Sequence, residues 1–421
     1  MDYPKANEGV ITVPGEYIII RPIEERDIPH VINLLKLNYG DDYPDPELYD
    51  EKWVMGAIYN DNIHWLVAED VRNGEILASG AVKLDYGDYD DLLGIIGRLV
   101  GHPRRTSDRL LPIGYKIVKA LVSEAKDKIE CVIADARTET IVSQRMVELA
   151  KLKAVGFLPN YKFFKKKAEN LVVYADLYGE GPTLRSEKLP QVIKEVQPLA
   201  SHVLANMEDL SPALGIMDCP AYSSESFCQF QNADRHSLGQ LRRLDRGRMS
   251  DPLVFAHVSS NYGMAVLADK KVHHKVALIN HELMGAFGYK FDEHNQIFQI
   301  TELVFNKAEI IAPVCAEAVA TASRQETKSS DGTMKETPAR IIEVDLSAYD
   351  ARIQQTFLNH GFQPVAYIPA MVFHDNSRLD VVKMIKLNQP FDPSGMQVTE
   401  RAARVVSLAT NRFQEKVSVS V

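Results

Sequence analysis

Cysteine is scarce in this chain. Its four residues, Cys131, Cys219, Cys228 and Cys315, lie far apart with no CxxC pair, which excludes a zinc ribbon or a disulfide-stapled scaffold and leaves free thiols. Long apolar runs are missing too: no stretch reaches the roughly 18 uninterrupted apolar residues of a membrane span, and the opening MDYPKANEGV lacks the basic-then-apolar order of a secretory leader. A cytoplasmic protein is expected. Basic residues are outnumbered, 48 Lys and Arg against 57 Asp and Glu for a net charge of −9, so neither nucleic acid nor an anionic membrane is expected as a partner. No P-loop, nucleophile elbow or dinucleotide fingerprint occurs.

What is present is an ordinary globular composition, 45% apolar and 25% charged over 421 residues, in a length that suits two or three domains. It also contains an internal echo. Glu75, Lys83 and Asp85 in EILASGAVKLD return as Glu282, Lys290 and Asp292 in ELMGAFGYKFD, displaced by 207 residues. Leu99-Val100 returns as Leu303-Val304, Pro112 as Pro313, and Gly156-Phe157-x-Pro159 as Gly361-Phe362-x-Pro364, at offsets of 204, 201 and 205. Four landmarks kept in order at a nearly constant offset imply a tandem duplication. The expected division is residues 1–180, a polar linker at 181–190 punctuated by Gly and Pro, 191–390, and a tail at 391–421.

In the first unit, residues 17–21, 65–68, 75–85 and 92–100 read as strands, with a hairpin turn at Asn73-Gly74. Pro112 opens a helix carrying Ile113, Ile117 and Leu121; Cys131 to Ala134 is a buried strand, and a helix through Met146 and Leu149 stops at Gly156. The second unit repeats the later part of this order, with strands at 264–268, 282–292, 298–305 and 340–344 and helices at 308–322 and 349–359. A helix is expected over 192–207, residues 208–250 stay unplaced, and 324–338 reads as a mobile loop. Val398, Ala402, Val405, Ala409 and Phe413 form a helical stripe at the end.

This order of elements, with Ile20-Arg21-Pro22 opening it, Tyr39-Gly-Asp-Asp-Tyr43-Pro44 after the first helix and Gly-Phe-x-Pro closing each unit, resembles the GNAT superfamily of acyl-CoA-dependent N-acyltransferases. The resemblance implies an α+β fold of two tandem GNAT-like domains, each a mixed, mostly antiparallel sheet flanked by helices, with a C-terminal amphipathic helix. It implies acetyl-CoA or another acyl-CoA as co-substrate and a small-molecule or peptide amine as acceptor. The expected co-substrate site is Leu99, Val100 and Gly101 at the end of the central strand, followed by Arg104, Arg105, Thr106, Ser107 and Arg109. That loop lacks the superfamily's glycines; its arginines could hold a pyrophosphate by charge-assisted bonds, or be a solvated basic surface. The second unit has no such loop, only Phe305 to Ile310 running into a helix.

Acyl transfer to an amine needs a base and an acid. The superfamily's usual tyrosine is replaced by Leu152 and Phe357, which leaves Ser143 or a water as the acid. Candidate bases are Asp85, with Asp88, Asp90 and Asp91 near it, and Glu302 in the second unit. For the aspartates an exposed acidic turn is the favoured reading, because clustered charges are usually just solvated. His273, His274 and His281 lack further ligands at metal spacing and read as a surface loop. The leading reading is an N-acyltransferase served chiefly by the first unit; the alternatives are a catalytically silent pair used for binding or assembly, or another acyl reaction such as decarboxylation.

Overall fold

Segments where Val, Ile and aromatic residues cluster or alternate fold as strands, and those where they recur every three to four positions fold as helices. The structure is a computed structural model and describes residues 11–12, 17–87, 91–103, 107–223, 227–246, 252–255, 272–328 and 333–418. The first half contains strands β1 (Ile11–Thr12), β2 (Ile18–Pro22), β3 (Ile63–Asp70), β4 (Glu75–Lys83), β5 (Leu93–Gly101), β6 (Cys131–Arg137), β7 (Lys153–Phe164) and β8 (Lys167–Leu177). Its helices are α1 (Ile28–Tyr39), α2 (Glu51–Ile58), α3 (Ser107–Ala125) and α4 (Val142–Leu149). The second half contains β9 (Gln191–Val192), α5 (Gln197–Asn206), β10 (Gly215–Ile216), β11 (Gln229–Asn232), α6 (Arg235–Arg246), β12 (Val254–Phe255), β13 (His273–Ile279), β14 (Glu282–Asp292) and β15 (Ile297–Phe305). It continues through α7 (Ile311–Ala322), β16 (Glu326–Lys328), β17 (Met334–Glu336), β18 (Ile341–Ser347), α8 (Ala351–Asn359), β19 (Gln363–His374), β20 (Ser377–Leu387) and α9 (Glu400–Ser418).

Most strands join one mixed sheet in the order β1-β2-β3-β4-β5-β6-β8-β7-β19-β20-β18-β15-β14-β13-β11, with β12 added to β18. Within it only β5·β6 and β15·β18 are parallel among the described pairings. Reading outward from the β7·β19 contact, both directions give a hairpin partner, one further antiparallel strand, a parallel step and then antiparallel strands. The two halves meet where Ala366 pairs with Gly156. Ile113, Ile117 and Leu121 of α3 are buried on one face of the first half, while α1 and α2 cover Trp65 and Val67 on the other. The stripe Ala402, Val405, Ala409 and Phe413 is buried, with α9 lying against β7 and β19.

Several sequence expectations change. Pro112 does not open α3 but sits inside it, where it cannot donate to a carbonyl of the preceding turn. Gly156 does not stop a helix: α4 ends at Leu149, and Gly156 lies within β7, where a side chain would collide with Ala366. The expected loop at 324–338 holds a hairpin, Glu326 pairing with Glu336 and Lys328 with Met334. The helix expected over 192–207 is shorter, Gln197–Asn206, and the unplaced stretch contains β11 and α6. The strand expected at 264–268 lies outside the described residues. Among the described residues no helix is long and apolar enough to cross a membrane.

Candidate active site between two parting strands

Strands β5 and β6 pair in parallel over only four positions, from Leu93 with Cys131 to Ile96 with Ala134. Beyond these, β5 stays on β4, with Ala81 opposite Gly97 and Ser79 opposite Val100, while β6 stays on β8 through Asp135, Ala136 and Arg137. The facing edges therefore part into a cleft. A β-bulge drives the parting, because Arg98 and Leu99 together oppose Gly80, and Arg98 takes a left-handed φ of 55°. Gly80 makes room for it: a Cβ there would come within 2.6 Å of Leu99 Cδ2 and 2.8 Å of Ile117 Cγ2. Leu99 thus points toward α3. Arg98 points to the opposite face, its guanidinium 5.2 Å from the Trp53 ring centre and 5.5 Å from that of Trp65.

The cleft contains a cavity of about 180 Å³, reached by Tyr39, Tyr43, Lys83, Gly97, Arg98, Asp135, Ser143 and Lys162 among others. Its charges are arranged in pairs and clusters. Arg137 is held by Glu169, with Nε to Oε2 and Nη2 to Oε1 both at 2.6 Å, and lies over Phe164. Burial works against the charge on Lys162, yet the carboxylates of Asp45, Asp135, Asp292 and Glu343 outweigh it and hold its pKa above the ordinary value. Burial lowers Lys83, which Asp85 partly offsets from 3.6 Å. Burial raises the Asp135 carboxyl, with Lys162 and Lys383 pulling it back. The Tyr43 phenol is pushed well above its ordinary value by burial, so its O–H stays protonated.

The second half repeats the parting and then fills it. β15 and β18 pair from Ile297 with Ile341 to Ile300 with Val344, but β12 then occupies the freed edge of β18, Val254 opposite Leu346 and Phe255 opposite Asp345. The Ser347 amide donates to the Leu253 carbonyl at 3.0 Å, and Leu253, Val254 and Phe255 are all buried.

The sequence-predicted residues divide accordingly. Leu99 and Ser143 line the cavity; Val100 is buried among the side chains under α1 and α2, and the Gly101 carbonyl accepts from Asn38 Nδ2 at 2.9 Å. Ser107 and Arg109 lie at the start of α3, whereas Arg104, Arg105, Thr106, Asp88 and Asp90 lie outside the described residues. Asp85 faces Lys83 beside the cavity. Asp91 is buried and its Oδ1 accepts from the Phe373 amide at 2.9 Å, a strap between the halves. Glu302 belongs to the filled half, where its Oε1 lies 2.5 Å from His274 Nε2. His273 and His274 are on β13 rather than in a loop, and His274 is buried. Among the described residues no three His, Cys, Asp or Glu side chains are placed to hold a metal.

Arg98, Asp135 and Lys162 were not singled out from sequence. One signal was available: Asp135 directly follows the apolar run Cys131 to Ala134, and a charge at the carboxyl-end side of a buried parallel pairing stands where ligands of α/β sheets bind.

No protein-family profile matches the sequence, and no curated protein does. Solved structures do. The ribosomal-protein-S5-alanine acetyltransferase of Vibrio fischeri is 8% identical with a TM-score of 0.34, the match covering 41% of this chain and 98% of that one. The spermidine N-acetyltransferase of Vibrio cholerae, solved with CoA and spermine, is 12% identical with a TM-score of 0.32, the match covering 38% of this chain and 95% of that one.

Proposed function

We propose that this chain is an acyl-CoA-dependent N-acyltransferase of two tandem GNAT-like halves, in which the first half holds the co-substrate and the second serves as scaffold. The observation that carries this reading is the contrast between the two partings: β5 and β6 leave an open cleft with a cavity, whereas the matching gap is filled by β12. The residues fit an acyl-CoA. Past Ile96 and Ala134 the two edges have lost each other as partners; the Arg137 carbonyl accepts from Gln144 Nε2 at 3.1 Å, and the edge-facing peptide groups before it can pair with the amides of a pantetheine arm. The start of α3 at Ser107 offers amides to a phosphate, with Arg104 and Arg105 immediately before it.

The co-substrate supplies a thioester carbonyl. The acceptor's nitrogen forms the new C–N bond as the C–S bond breaks, its proton passing to a base and the sulfur gaining one from an acid. Asp135 is the base best placed in the cavity, because burial raises its proton affinity above that of an exposed carboxylate. Tyr43 and Ser143 are the hydroxyl donors there.

Gly97 gives the test. A Cβ at this position meets nothing within 4 Å, so Gly97→Val intrudes into the cleft without disturbing the fold. Calorimetry with acetyl-CoA is expected to show saturable binding by the parent chain and at least about tenfold weaker binding by the variant, at an unchanged urea midpoint. No binding by the parent at millimolar acetyl-CoA overturns the proposal in favour of a silent binding pair, and equal binding by the variant removes the cleft as the site. Asp135→Asn is expected to bind acetyl-CoA and lose turnover.

A further inference from the structure

Among the cations lining the cleft, Arg98 stands apart. Lys83 faces Asp85, Arg137 is clamped by Glu169, and Lys162 sits in a field of four carboxylates. Arg98 instead faces aromatic rings: the chain has two tryptophans, and both lie over its guanidinium. Its Nε is buried without a hydrogen-bond partner among the described residues, and it lines the cavity. Burying a donor unpaired is costly, which is explained if a ligand completes the site. The indole rings beside it offer no hydrogen-bond acceptor atom, and the planar guanidinium donates in its own plane, the geometry that a carboxylate accepts with two parallel bonds.

Across the cleft, Asp135 is the first residue of β6 beyond the last β5·β6 pair, as Gly97, next to Arg98, is the first of β5. A cation and an anion thus flank a space of about 180 Å³, small enough to select a compact ligand. We infer that the cleft takes a small zwitterionic acceptor, an amine bearing a carboxylate a few bonds away, with the carboxylate bound in plane by Arg98 and the amine turned toward Asp135. This rests on the acyltransferase reading above and narrows its substrate to amino-acid-like amines.

The tryptophans report on this site directly, without turnover. Intrinsic fluorescence is followed while the full-length protein, saturated with CoA, is titrated with each of the twenty free amino acids and, in parallel, with their decarboxylated amines. At least one amino acid is expected to change the emission saturably, with its decarboxylated partner at least about tenfold weaker. Arg98→Asn tolerates the left-handed backbone and removes the cation; Arg98→Lys keeps charge but not the fork. Both are expected to weaken the amino acid about 10- to 100-fold, the lysine variant less. Equal response to the decarboxylated amines, no saturable response to any member of either set, or unchanged affinity in both variants overturns the inference. Acetyl-CoA calorimetry on the parent chain separates the cases: if acetyl-CoA binds while these results fail, the substrate assignment alone is wrong, and if it does not bind, the acyltransferase reading has failed.

Discussion

Arg98 and Glu302 hold matching positions in the two halves. Each directly precedes a Leu-Val pair at a bulge in the strand that begins the parallel step, Leu99-Val100 in one case and Leu303-Val304 in the other. Each meets the matching residue of the neighbouring hairpin, since Trp65 pairs with Ala81 where His274 pairs with Gly288. The same location thus carries a cation against an indole beside an open cleft and a carboxylate against an imidazole beside a filled one.

Glu302→Gln should therefore change stability more than turnover. The pair it breaks is largely buried on the His274 side, 4% exposed against 21% for Glu302, and leaving a buried donor or acceptor poorly matched costs about 1–3 kcal/mol. Urea unfolding should show that loss, while kcat/KM for the best acceptor stays within about twofold. A hundredfold fall in kcat/KM at an unchanged urea midpoint would move the chemistry to the second half.

Gly80→Ala should deform the cleft. The added methyl meets Leu99 Cδ2 and Ile117 Cγ2, and relieving it requires pushing the bulge or α3 outward, a change of about 1–3 kcal/mol for overpacking. The expected result is a lower urea midpoint together with weaker acetyl-CoA binding. Because Gly97→Val blocks the same cleft without a clash, binding lost at equal stability in that variant and lost with stability in this one separates the shape of the cleft from its contents.

How much of this could be read beforehand depends on how local each cause is. The tail helix was legible because its stripe, Ala402, Val405, Ala409 and Phe413, lies within one helix, and the Asn73-Gly74 turn because Gly74 adopts φ 71°, as a tight turn demands. Gly156 is ambiguous in the sequence because a glycine after a helix and a glycine at a strand crossing look alike; Ala366, from the other half, decides between them. Arg98 is not legible, since an arginine in a strand reads as an outward residue. Its importance comes from the bulge that Gly80 permits and from rings on α2 and β3. The filling of the second cleft was invisible, for the two residues Val254 and Phe255 are too short a strand to show any period.

Arg378 should be among the most sensitive positions for stability. It is fully buried; Nη1 donates to Glu130 Oε2 at 2.8 Å across the halves, Nε to the Ala370 carbonyl at 2.6 Å and Nη2 to the Met371 carbonyl at 3.0 Å. Arg378→Leu leaves a carboxylate and two carbonyls without their donor, and removing one partner of a buried ion pair costs about 3–5 kcal/mol. Glu130→Gln keeps an acceptor for the guanidinium and should cost less. A urea midpoint for Arg378→Leu equal to the parent's would show that these bonds of Arg378 contribute nothing.

Asp176 should make stability depend on pH. Burial, the leading cause, raises its carboxyl from the ordinary 3.8 to about 6, against pulls from the Leu177 amide and Lys153. The folded chain then holds this proton between about pH 4 and 6 while the unfolded chain gives it up, so the contribution of Asp176 to stability is full below pH 4, falls as pH rises and is gone above about 6. Asp176→Asn carries no such proton. The difference in unfolding free energy between variant and parent, from urea titrations, should therefore grow in the variant's favour from pH 4 to pH 6 and level off beyond, reaching at most about 3 kcal/mol for a two-unit shift. A difference that is flat across this range would mean that water or the Lys153 ammonium keeps the Asp176 carboxylate ionised in the folded chain.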